Sequence, residues 1–165
     1  LQARIRGTIL MLYSNRHRAL LLNTTNKSEL SMGYGTLYGD LCGALMVIAD
    51  LYKTEVYEMA AWINRDGEVI PSSTITKAPS AELKEGQKDT DSLPPYDVLD
   101  PILYRLNEGG CSAEQILQEG VDKGLVDRII RLRKAAAFKV HQLAPMIRLS
   151  TAPLLDRSKW VEPAE

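Results

Sequence analysis

An α/β fold organised around a parallel sheet is predicted by three features of this sequence. The apolar run 19–22 stops abruptly at Asn23-Thr24-Thr25-Asn26, a second run at 45–48 gives way to Asp50, and helical patterns surround both. Short apolar runs bounded by polar breakers suit strands buried on both faces, as in a parallel sheet. In open α/β sheets, ligands bind just outside the carboxyl ends of such strands. Thr24, Asn26, Lys27 and Glu29 occupy that place after the first run. The segment that follows carries Gly33, Tyr34, Gly35, Tyr38, Gly39 and Asp40, and its glycines let backbone come close to a ligand.

The elements follow in order. Leu1, Ile5, Ile9 and Leu12 fall at helical spacing, with Arg4 and Arg6 on other faces, so a helix precedes the first strand. Residues 15–18 form the turn. After the strand, Asn26-x-x-Glu29 has the spacing of a capping box, so Glu29 either satisfies backbone donors or serves a bound metal at the sheet edge. Asp50 is the expected N-cap of the next helix, whose apolar face is Val56, Ala60 and Ile63. Lys53 then lies in the first turn, where the helix dipole disfavours a cation by a few tenths of a kcal/mol. A bound phosphate would relieve this, since helix N-termini and lysine both attract anions; pairing with nearby acids is the plainer alternative.

Residues 64–67 read as a turn, and Val69-Ile70-Pro71 closes the unit. From 78 to 95 the chain shows much charge, little periodicity, Gly86 and three prolines. A connection of about 18 residues exceeds the usual ~12–15, which predicts a mobile lid or a disordered segment. The remainder is helical. Val98, Leu99, Ile102, Leu103 and Leu106 make one stripe ended by Gly109-Gly110, and Ser112-x-x-Gln115 is a second capping box. Leu125, Ile129, Leu132 and Ala136 give a long last helix its core face, leaving Arg128, Arg131, Arg133 and Lys134 as a solvated face.

Composition narrows the function. The 165 residues are 45% apolar and 25% charged, enough for one globular unit with a core. A net charge of −1 argues against broad binding to nucleic acid or to an anionic membrane. No apolar run approaches the ~18 residues of a membrane span. Cys42 and Cys111 show no metal-ligand spacing and read as reduced, mostly buried thiols of a cytoplasmic protein. His17 and His141 have no partner at nucleophile or metal spacing, so no catalytic triad is expected.

Two long motifs resemble the NAD synthetases, especially the glutamine-dependent kind: NKSELSMGYGTLYGD at 26–40 and PSAELKEGQKDTDSLPPYDVLD at 79–100. The likeness runs over 1–149 and implies the second half of a doubly wound, mostly parallel sheet of the adenine-nucleotide alpha-hydrolase kind, followed by C-terminal helices. It implies that residues 1–165 are the C-terminal part of the synthetase (amide-ligase) domain. The family's pyrophosphate loop, SGGxDS, occurs nowhere in the chain. The sequence opens in mid-pattern and reads as a piece of a longer protein, without the glutaminase domain, so the piece alone is expected not to turn over.

By the same resemblance, Thr24, Lys53 and Ser80 match positions that contact ATP. Arg4, Glu29 and Lys139 match positions that contact deamido-NAD, and Glu29 is also the expected Mg²⁺ ligand. Thr25 stands where the family usually has glycine. The implied reaction is ATP-dependent amidation of deamido-NAD to NAD through an adenylate, with ammonia supplied from glutamine, in a homodimer or higher homo-oligomer. Cations and Mg²⁺ suit a reaction that brings two polyanions together. Another ligase of the same nucleotide fold, or a non-catalytic module whose helices after Val98 form a dimer surface, are the competing readings.

Overall fold

The computed structural model describes residues 1–154. Seven α-helices and two short parallel strands are described, in the order α1 (Gln2–His17), β1 (Leu22–Asn23), α2 (Lys27–Met32), β2 (Leu45–Met46), α3 (Lys53–Ile63), α4 (Ser72–Thr76), α5 (Tyr96–Asn107), α6 (Ala113–Gln118) and α7 (Lys123–Val140). The α/β class and the parallel pairing agree with the sequence. Leu22 pairs with Leu45 and Asn23 with Met46. The C-terminal segment adds a parallel bridge on the far side of β2, where Met46 N–H donates to Pro145 O and Ile147 N–H to Met46 O.

The strands are shorter than the apolar runs, and β1 is displaced toward the polar break. Leu20 and Leu22 remain 74% and 50% exposed. Among the described residues β1 has a strand neighbour on one edge only, and its apolar side chains are left partly uncovered. The expectation of burial on both faces is therefore corrected.

The helix expected before the first strand is present as α1. Ile5, Ile9 and Leu12 are exposed, whereas Ala3 and Gly7 are buried. The small residues win because α1 lies directly on the backbone of the glycine–tyrosine segment. A Cβ on Gly7 would sit 2.9 Å from Gly39 O, so a larger side chain on that face would push the helix away.

Both capping boxes form as expected. The Asn26 side chain accepts Glu29 N–H at 2.9 Å while Glu29 Oε2 accepts Asn26 N–H at 3.1 Å, and Ser112 and Gln115 exchange the equivalent pair. Each pair satisfies donors that the helix itself leaves open. α2 ends at Gly33, whose φ of 65° favours glycine and where a Cβ would fall 2.0 Å from that of Ala136 on α7. Asp50 does not cap α3; Tyr52 takes the N-cap position. The Asp50 carboxylate instead turns inward to a buried ion cluster.

That cluster joins distant parts of the chain. Lys27, the first residue of α2, is fully buried, not at the sheet-edge surface, and its Nζ donates to Asp50 Oδ1 (3.0 Å), Glu108 Oε1 (2.8 Å) and Ser150 Oγ (2.9 Å). Asp50 Oδ2 also accepts the backbone N–H groups of Leu149 and Ser150. Burial alone would raise the Asp50 pKa, but these N–H groups, Lys27 and the Ser150 hydroxyl outweigh it and hold the carboxyl below its usual value.

The main apolar core lies on the helical side, where Leu99, Ile102 and Leu103 of α5 meet Ile116, Val126 and Ile129 of α6 and α7. Val98 of the predicted stripe stays 43% exposed. The predicted solvated face of α7 holds for Arg131 and Lys134. Arg133 instead tucks against α5 and donates to Asn107 Oδ1, and Arg128 reaches Ser92 O. Cys42 and Cys111 are free and half-buried. Residues 78–95 are neither structureless nor detached: a short turn at Asp89–Asp91 seats Asp89 and Leu93 at 4% exposure each. α4, unforeseen in the sequence, precedes this segment.

Lys27→Met is expected to strand Asp50 and Glu108 and to cost about 3–5 kcal/mol, the usual scale for breaking a buried ion pair; urea denaturation at pH 7 measures it. Because the Asp50 pKa is lowered on folding, its contribution is fully present above the ordinary value of 3.8 and is lost as pH falls through the lowered one. An acid titration of unfolding should lose that part of its slope in Asp50→Asn.

Candidate functional site

Strand register and helix starts converge on one cavity. Thr24 and Thr25 follow β1, Glu29 is the third residue of α2, and Lys53 opens α3 soon after β2. All lie beyond the carboxyl ends of the two parallel strands, as such sheets require. Tyr34 and Asp40 of the glycine–tyrosine segment add a wall, and Ser80, Ala81 and Asp89 close the remaining side. The cavity measures about 320 Å³, at the small end of the ~300–1,000 Å³ of ligand sites. Thr24, Glu29, Lys53 and Ser80 are thus brought together.

The charges inside are unevenly matched. Lys53 Nζ lies 3.6 Å from Glu29 Oε1 and over the faces of Tyr57 and Tyr96. Burial raises the Glu29 pKa above the usual carboxylate range; Lys53 and the Asn26 N–H oppose this, while Asp89 reinforces it. Asp89 Oδ2 accepts the Tyr96 hydroxyl at 2.8 Å, yet Asp89 Oδ1 and the Tyr34 hydroxyl are buried without a hydrogen-bond partner. Burial, with Asp89 nearby, pushes the Tyr34 phenol up to about 12. The Tyr34 hydroxyl and Asp89, near enough to act on each other but without a well-formed hydrogen bond between them, stand beside a partly desolvated carboxylate.

The start of α3 differs from the sequence reading. Lys53 N–H donates to Ser28 Oγ (2.9 Å) and Thr54 N–H to Asp100 Oδ2 (2.9 Å), while Tyr52 N–H donates to Glu55 Oε2 (2.7 Å). Internal oxygens therefore occupy the positive end of this helix, and only the Lys53 side chain is offered to an anion. Thr25, the departure from glycine, is buried and donates its N–H to Asn23 Oδ1 at 2.9 Å. Its side chain forms part of the cavity wall.

Arg4 and Lys139 do not line this cavity. Arg4 Nε donates to Leu37 O at 3.2 Å, and Lys139 Nζ donates to Gly33 O and Gly35 O, both at 2.7 Å. The two cations bracket the glycine–tyrosine segment from α1 and α7, and so fix the loop that carries Tyr34. Asp89 and Asp100 escaped sequence reasoning as site or support residues. An acid within a polar loop carries no periodicity signal, and Asp100 lies on a helix where acids are commonplace.

Among the described residues, no group of three or more His, Cys, Asp or Glu side chains could hold a metal ion. The donor set nevertheless fits Mg²⁺ in its usual manner, with one or two carboxylates and the rest of the shell from phosphate oxygens and water. Glu29 and the unmatched Asp89 Oδ1 are the oxygens on offer.

A raised carboxyl pKa adds stability at low pH that disappears as pH rises through the native value. Glu29→Gln keeps the capping spacing and mimics the protonated acid, so its unfolding midpoint at pH 7 should equal or exceed that of the parent. A clear loss of stability would show instead that the Glu29 charge supports folding.

A family description of NAD synthase matches residues 1–143. The glutamine-dependent NAD(+) synthetase of Synechocystis sp. is 52% identical over 150 residues, covering 91% of this chain and 27% of that protein. Among solved structures, glutamine-dependent NAD(+) synthetase from Cytophaga hutchinsonii aligns with a TM-score of 0.75 at 27% identity, covering 98% of this chain and 27% of that one. NMN synthetase from Francisella tularensis gives 0.67 at 26% identity, covering 92% and 54%. The chain spans 27–30% of the length of relatives such as those of Synechocystis and Rhodobacter capsulatus. With most of its length matched in one continuous stretch, and with the two motifs that seat the cavity inside that stretch, the chain belongs to the NAD synthase family.

Proposed function

We propose that this chain is the C-terminal part, 1–165, of an NAD synthetase domain, and that its two strands belong to a doubly wound sheet. Residues 155–165 lie outside the described region. In the complete enzyme the reaction is amidation of deamido-NAD. A carboxylate oxygen of the substrate bonds to the α-phosphorus of ATP as the bond to the departing pyrophosphate breaks. Ammonia nitrogen then bonds to the carbonyl carbon, the bond to AMP breaks, and nitrogen gives up a proton. Adenylation converts a poor leaving group into a good one, and positioning with charge neutralisation supplies the remaining rate.

One observation carries this reading: Thr24, Glu29, Lys53 and Ser80 share one polar cavity at the carboxyl ends of parallel strands. Lys53 neutralises phosphate charge, Thr24 and Ser80 offer hydroxyls to ATP, and the segment bearing Ser80 excludes water. Glu29 would hold Mg²⁺, which would offset repulsion between the two polyanions. Arg4 and Lys139 contact deamido-NAD from either side of the glycine–tyrosine segment. The lysine ammonium has three N–H donors, and two are already engaged with loop carbonyls. A cytoplasmic setting with ammonia drawn from glutamine and a homodimeric or larger assembly complete the reading. No helix among the described residues is long and apolar enough to cross a membrane.

The similarity to NMN synthetase supports one second reading, in which the acid amidated is a mononucleotide. Comparing deamido-NAD with nicotinic acid mononucleotide as acceptor separates the two.

The central test measures AMP release with ATP, Mg²⁺, deamido-NAD and ammonia. The 165-residue chain alone should show none, and a polypeptide that also carries SGGxDS should be active. In that active protein, Lys53→Ala should lose about 1.5–3 kcal/mol of nucleotide interaction, roughly 10–150-fold in affinity by calorimetry. Unchanged affinity and rate would remove Lys53 from the site.

A further inference from the structure

The Lys53 side chain and the backbone of the next residue, Thr54, both meet α5. Positions 96 and 100 lie one turn apart there. The Tyr96 ring centroid is 5.6 Å from Lys53 Nζ, while Asp100 sits beneath the backbone where α3 begins. Asp100 is 4% exposed, and both of its oxygens face that turn. Oδ1 accepts the Ser28 hydroxyl at 2.6 Å, and the Ser28 oxygen in turn accepts Lys53 N–H at 2.9 Å. Oδ2 accepts the N–H and the hydroxyl of Thr54 at 2.9 and 3.0 Å.

A helix start is ordinarily held by the oxygen of its own N-cap residue. Here the N-cap is Tyr52, which supplies no side-chain cap bond. The task passes to a carboxylate 46 residues away in sequence and to a serine on α2. Burying a carboxylate is costly unless it is fully bonded, so an acid at this position needs a reason beyond packing. Its three bonds, with the one from Lys53 N–H to Ser28, tie together α2, which carries Glu29, and α3, which begins with Lys53.

We propose that Asp100 is a positioning residue for Lys53. Through Ser28 and the first N–H groups of α3 it sets where that helix begins, and thereby where the ammonium sits relative to Glu29. This rests on the reading of Lys53 as a nucleotide-phosphate group. Charge recognition is steep in distance, and a displacement near 1 Å can cost on the order of 100-fold. Asp100→Asn nearly preserves shape but turns an NH₂ group toward one of the donors now satisfied, so α3 must shift or leave that donor unmet.

The experiment is a double-mutant cycle in the active protein that also carries SGGxDS, titrating ATP and, separately, deamido-NAD. Asp100→Asn should weaken ATP binding about 5- to 30-fold and leave deamido-NAD binding within about twofold. In a Lys53→Ala background the same substitution should change ATP affinity by less than about twofold. Ser28→Ala, a milder disturbance of the same relay, should repeat the pattern and serves if Asp100→Asn folds poorly. Equal losses in both backgrounds, or parallel losses for both ligands, would overturn the proposal and leave Asp100 a structural residue. If Lys53→Ala alone leaves ATP binding unchanged, the Lys53 reading itself fails, an outcome distinct from additivity in the cycle.

Discussion

The Lys27 ammonium, sealed from solvent between Asp50 and Glu108, is the constraint on which the remaining architecture depends. A cation without water must find its partners inside the protein, and these come from the turn between β2 and α3, the end of α5 and the C-terminal segment at Ser150. Each partner is thereby held at a fixed distance from the first residue of α2. The cavity lies immediately beyond, with Ser28 reaching toward Asp100 and Glu29 facing the opening. An ionic centre of this kind contributes less to net stability than to specifying a single arrangement, because few other packings would satisfy all its donors and acceptors.

How much of this was legible in the sequence depended on whether the signal was local. The two capping boxes, Asn26–Glu29 and Ser112–Gln115, were readable because donor and acceptor lie three residues apart. The core stripe of α5 was readable because Leu99, Ile102 and Leu103 repeat at the helical period. The strands were found but misplaced by a residue or two, since 19–22 is apolar on both faces and carries no alternation to fix register. Asp50 was misread as a cap because a local rule applied; its true partners, Lys27 and Ser150, lie 23 and 100 residues away. The helix α1 was readable from the spacing of its apolar residues, but which face it buries was not, because the close backbone contact at Gly39 selects Ala3 and Gly7.

The site divided along the same line. Resemblance located Thr24, Glu29, Lys53 and Ser80, and the fold gathers them. It could not reveal that the positive end of α3 is occupied from within, because the Asp100 carboxylate belongs to another helix. Nor could it reveal that Lys139 and Arg4 grip the carbonyls of a glycine-rich segment as well as presenting charge. Such loop carbonyls become acceptors only once the segment has folded back between α1 and α7.

The bare hydrocarbon along α1 has a further consequence. Ile9, Leu12 and Tyr13 are 59%, 64% and 63% exposed on one helix, with Leu20 close behind in sequence. Solutes that are excluded from protein surfaces, such as sulfate, raise the free energy of wetted oil. As ionic strength climbs with that anion, molecules of this polypeptide gain by pressing their greasy rods together, and cloudiness would set in while every helix is still folded.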